Sequence, residues 1–174
     1  MKTKINTKVI ALSGILTALA LVLGYVEHLL PLPVGVYGMK LGLSNLVTVT
    51  ALYLLGAPAA IVINVTRILL SALLFGNTVS LAYSLAGGVV ATVMMILAKR
   101  WKRLGISGVS VCGGVAHNIA QLIVAAVIVD NLKIAFYLPV LLAAGAITGF
   151  AIGACALPIT KTSYLKKISK TDKN

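Results

Sequence analysis

Six apolar runs, most of them close to 20 residues long, constrain this chain more than any other feature. They cover about residues 9–30, 41–55, 59–75, 79–97, 109–129 and 134–157. A helix needs roughly 20 apolar residues to cross a hydrocarbon layer about 30 Å thick at about 1.5 Å per residue. Helix breakers separate the runs: Pro31 and Pro33 close the first, Gly56 and Pro58 the second, Gly76 and Asn77 the third, and Pro158 the last. The second run is short, so it either starts earlier, near Val36, or sits partly buried among its neighbours. Composition agrees: 60% of residues are hydrophobic and 10% charged, where a soluble domain carries about 25% charge. A soluble globule of 174 residues could not hide that much apolar surface. The fold class expected is all-α, an integral membrane bundle of six transmembrane helices. One domain spans residues 1–174, with the bundle at about 9–157 and a basic tail at 158–174.

Charge orients the bundle. Fifteen Lys and Arg stand against three Asp and Glu, a net charge of +12. On a soluble chain this would suggest nucleic acid, but twelve of these cations fall in three clusters outside the apolar runs. Lys2, Lys4 and Lys8 precede the first run. Lys99, Arg100, Lys102 and Arg103 lie in the central loop, and Lys161, Lys166, Lys167, Lys170 and Lys173 lie in the tail. Six spans bring all three clusters and both termini to one side, which the positive-inside rule makes the cytoplasm. The partners expected there are anionic membrane lipids, not nucleic acid. The first run is too long for a signal-peptide core, and Glu27-His28-Leu29-Leu30-Pro31 makes a poor cleavage site, so it is expected to be retained. Cys112 and Cys155 lie in apolar runs without metal-ligand spacing and read as buried thiols.

Polar residues inside the runs carry the functional signal. Arg67 lies mid-run, and an Arg at a helix centre costs at least about 2.5 kcal/mol on insertion scales. It needs an anionic ligand, a structural pairing with Glu27, or a snorkelling route to the outer end. Asn64 is three residues away and shares its helix face. Lys40 and Asn45 flank the outer start of the second run. His117 and Gln121, four apart, point the same way, with Asn118 beside them. These residues are candidates for binding a negative or carbonyl-rich ligand, although interhelical hydrogen bonding accounts for the amides as well. Tyr83 and Tyr137 read as interfacial anchors or as stacking surfaces for a planar ligand. Ala11, Gly14 and Ala18 form a small-residue strip suited to an internal helix or to a separate membrane subunit; Gly87-Gly88 and Gly145, Gly149 and Gly153 read the same way. The chain has no phosphate loop, nucleophile elbow, Asp-rich metal motif or paired carboxylates. No enzyme activity, cofactor or metal is expected.

Five stretches resemble a known family: Leu23-Gly24-Tyr25-Val26-Glu27, Lys40-Leu41-Gly42-Leu43-Ser44-Asn45, Gly108-Val109-Ser110, Ala116-His117-Asn118-Ile119-Ala120-Gln121 and Tyr137-Leu138-Pro139-Val140-Leu141. They look like the Gx transporter family, whose members are often labelled heptaprenyl diphosphate synthase component I. That family is similar to the S components of energy-coupling factor (ECF) transporters, six-helix subunits that capture a vitamin or related micronutrient. The resemblance implies a substrate-binding subunit in the bacterial cytoplasmic membrane, docked on a coupling transmembrane subunit driven by two ATPases. S components dock through an Ala-xxx-Ala motif in the first helix. Gly14-Ile15-Leu16-Thr17-Ala18 is similar, with Gly in first place. The alternative is a membrane scaffold for polyprenyl diphosphate or quinone biosynthesis, or for flavin-linked electron transfer.

Overall fold

The computed structural model describes residues 7–29, 42–75, 78–101 and 103–162, except the side chain of His28. Lys2, Lys4, Lys40, Lys102, the breakers Pro31, Pro33, Gly76 and Asn77, and the tail from residue 163 lie outside the described residues. The helices are α1 (Thr7–Leu29), α2 (Asn45–Leu54), α3 (Ala57–Phe75), α4 (Thr78–Arg100), α5 (Ile106–Val129) and α6 (Leu138–Lys161), with a 3-10 helix at Leu132–Tyr137 before α6. No strand occurs among the described residues. Five helices are long and apolar enough to cross a membrane, the pattern of a multi-pass membrane protein. Large apolar side chains such as Leu73 and Val127 point outward, as lipid-facing residues do.

The short second run becomes α2, which packs against all five other helices. Eight of its ten residues are buried, Asn45, Thr48 and Thr50 among them. Ser44, just before it, donates to the Ala20 carbonyl of α1 at 3.2 Å. At its far end Lys99 Nζ donates to the Leu52 carbonyl at 2.7 Å and lies 4.7 Å from the centroid of the Tyr53 ring. This corrects the placement of Lys99 and Arg100 in a loop, because α4 runs on through both. The last carbonyls of α2 lack intrahelical partners and carry partial negative charge, which draws the ammonium in.

Helices α5 and α6 pack antiparallel through their backbones. A Cβ on Gly145 would lie 2.8 Å from the Gly114 oxygen, and one on Gly149 2.8 Å from the Ser110 oxygen. A Cβ on Gly153 would collide with the Ser107 Cα. Lipid and helix surfaces are equally apolar, so close packing holds such helices together. In contrast, among the described residues α1 packs on α2 and α3 alone. Its Tyr25 ring meets Phe75 with centroids 4.7 Å apart, so α1 and α3 run parallel with their C-terminal ends together.

Two expectations at the end of the chain are corrected. Pro158 does not close the last helix but lies inside it, and α6 continues to Lys161. A proline removes one backbone donor, and membrane helices absorb that loss through local adjustment and neighbouring groups. Cys155 is exposed on the outside of α6, and Cys112 is half-buried; both are free thiols. An apolar run in a membrane protein does not imply burial in protein.

Candidate functional site

The acid of α1 and the start of α2 meet first. Glu27 is buried, and its Oε1 accepts the Gly42 N–H. Gly42 has φ +79°, and a Cβ there would lie 2.8 Å from Asn45 Nδ2. Left-handed backbone and lack of space both demand glycine. The Gly42 carbonyl accepts the Asn45 N–H at 2.7 Å, which starts α2. The Asn45 side chain is buried, and its Oδ1 has no hydrogen-bond partner among the described residues.

Arg67 anchors a second set of contacts. Its Nε donates to Asn64 Oδ1 at 2.9 Å, the three-residue spacing putting both on one face of α3. Asn64 Nδ2 donates onward to the Gly88 carbonyl at 2.9 Å and to Thr92 Oγ1 at 2.8 Å. Thr92 Oγ1 itself donates to the Gly88 carbonyl at 2.8 Å. These hydrogen bonds join α3 and α4 in one polar cluster, and the charge of Glu27 on α1 reaches Arg67. Thr92 was missed from the sequence: a threonine in an apolar helix usually bonds its own preceding carbonyl, and only the approach of α3 gives it a second role.

Gly87 and Gly88 separate this cluster from a third polar group. A Cβ on Gly88 would lie 2.7 Å from Ile68 Cδ1, 3.2 Å from Asn64 Nδ2 and 3.4 Å from Arg67 Nη2. One on Gly87 would lie 2.7 Å from His117 Cε1 and 3.0 Å from Gln121 Cγ. Consecutive Cα atoms are about 3.8 Å apart, so Arg67 of α3 and the His117–Gln121 face of α5 press on the same turn of α4. His117 and Gln121 are both buried. Neither amide atom of Gln121 has a hydrogen-bond partner among the described residues.

Other candidates fall elsewhere. Asn118 faces α6, where its Nδ2 donates to the Leu141 carbonyl at 2.8 Å. It sits one residue from His117, about 100° around the helix, and therefore joins a different interface. Tyr83 is buried among the helices, one turn before Gly87, which corrects its reading as an interfacial anchor; Tyr137 is exposed. Lys40 lies outside the described residues. Ala11, Gly14 and Ala18 are all exposed, and a Cβ on Gly14 would meet nothing within 4 Å. The strip serves no neighbour within the described bundle.

No curated protein matches the chain, and no solved structure matches it either. The family model described as heptaprenyl diphosphate synthase component I does match, over residues 16–158. That stretch runs from α1 to the last turn of α6 and takes in Glu27, Arg67, Gly87-Gly88 and the His117–Gln121 face. The chain therefore belongs to the heptaprenyl diphosphate synthase component I family.

Proposed function

We propose that the protein is a membrane substrate-capture subunit of the ECF type, which binds a vitamin-like or cofactor-related small molecule and hands it to an ATP-driven partner. The observation that carries this reading is Arg67, a guanidinium held inside an apolar helix. Asn64 takes the Nε donor, Glu27 acts on its charge from a distance, and a guanidinium's five donors suit a carboxylate, phosphate or carbonyl group. Asn45, Asn64, His117 and Gln121 orient the ligand, with Lys40 as a second cation. The protein binds without catalysing; uptake follows when it docks through Ala11, Gly14 and Ala18 on a coupling transmembrane subunit with two ATPases.

The helix directions support the orientation this needs. With α1 parallel to α3 and α6 antiparallel to α5, the start of α1 and the end of α6 fall at the end of the bundle that holds Lys99, Arg100 and Arg103. Positive-inside places that end in the bacterial cytoplasm and makes α2 the sixth membrane element, surrounded by the other five.

The second reading is a membrane scaffold for polyprenyl diphosphate synthesis, favoured by the family description. Copurification from native membranes separates the two. Capture predicts ATPases and a small membrane subunit, lost with Gly14→Leu. Recovery of a soluble prenyltransferase in their place overturns it.

A further inference from the structure

Gln121 presents a specific chemical problem. Its side chain is 1% exposed, yet neither Oε1 nor Nε2 finds a partner among the described residues. A buried donor or acceptor left unmatched costs about 1–3 kcal/mol, and here a donor and an acceptor on one amide are both unmatched. Gly87 lets α4 close on this face of α5, since a Cβ there would lie 3.0 Å from Gln121 Cγ. The next residue, Gly88, does the same for Arg67 Nη2.

We propose that the Gln121 amide recognises a ligand through a planar edge that carries a donor and an acceptor side by side. A lactam or cyclic imide N–H/C=O edge and an amino-azine edge are the ring types that fit. Gln121 Nε2–H donates to the ligand acceptor, and the ligand N–H donates to Gln121 Oε1, as paired amides do. A quinone edge offers acceptors alone and would leave Oε1 unmatched, so quinone rings are disfavoured. The inference rests on the capture reading and narrows it: the ligand combines this edge with a negative or carbonyl group for Arg67.

The probe is 2-oxo-1,2-dihydroquinoline-4-carboxylate, which holds a lactam edge and a carboxylate, compared with its N-methyl derivative, which lacks the donor. Binding to the purified full-length protein in nanodiscs is measured by calorimetry. The parent compound should bind, and N-methylation should weaken it roughly 10- to 100-fold. Gln121→Met should give the same loss and equalise the two compounds, while the unliganded variant unfolds at or above the wild-type temperature. The N-methyl comparison on wild-type protein stands even if the variant fails to fold. Equal affinity for the two compounds, no binding of the parent, or a fully active Gln121→Met overturns the inference; the last is what a bridging water would give. Loss of binding in Arg67→Met together with indifference to N-methylation sinks the amide edge and leaves capture intact. Copurification, which involves no probe, judges capture separately.

Discussion

Substitution of Gly149 by alanine tests the packing that holds the polar groups in register. The added Cβ would lie 2.8 Å from both the Ser110 oxygen and the Val111 Cα, and 3.1 Å from the Val111 nitrogen. Ordinary contact begins at 3.4 Å, so the shortfall is about 0.6 Å against atoms that are all backbone. None can swing aside, and α5 must part from α6 by about that distance. A radial gap of roughly 0.5–1 Å forfeits a quarter to a half of each dispersion contact, and overpacking of this kind costs about 1–3 kcal/mol. Alanine returns about 1 kcal/mol through helix propensity, which leaves a net loss of up to about 2 kcal/mol. The control is Gly14→Ala, where the new methyl meets nothing within 4 Å and only the propensity gain remains. The propensity gain is common to both, so unfolding in mixed micelles with increasing sodium dodecyl sulfate should separate them by the overpacking cost, about 1–3 kcal/mol. Equal stability would show that α5 and α6 are not in backbone contact, and the placement of Asn118 against Leu141 would fall with it.

Three further outcomes are expected. Glu27→Gln removes the charge that accepts the Gly42 N–H and acts on Arg67, a loss of about 1.5–3 kcal/mol for a hydrogen bond to a charged group; adding Arg67→Met should recover part of it, and strictly additive effects in an unfolding cycle would argue against coupling. Asn118→Leu should cost about 0.6–1.7 kcal/mol of stability, the range for a hydrogen bond between membrane helices, with unchanged affinity for the carboxylate probe; a binding defect would move Asn118 into the site. Gly14→Leu should unfold at or slightly above wild type, through the gain in helix propensity, while abolishing copurification with ATPases, and a loss of stability would show that the strip packs within the bundle.

The helical class, the membrane setting and the local pairings were legible in the chain itself. Arg67 and Asn64 share a face because they are three residues apart, and His117 and Gln121 because they are four apart; both follow from helix geometry alone. The shortness of the second run left two readings, an earlier start near Val36 or partial burial among its neighbours, and only packing chose between them. Other features were not legible. Lys99 read as a loop cation, but its four-carbon stem carries the ammonium from the end of α4 to the carbonyls of α2. Asn118 read with His117 and Gln121 because they are close in sequence, although one residue of rotation sends it to another helix.

By itself the sequence determined how many apolar segments form, how long each is, and where charge gathers between them, because these depend on transfer of side chains between water and an apolar phase. Only the tertiary structure decided which face of each helix meets protein and which meets lipid. Both surroundings are apolar, so hydrophobic periodicity does not distinguish them. Glycine positions do, but a glycine becomes meaningful only once its neighbour is known: Gly149 and Gly87 admit another helix, while Gly14 faces outward.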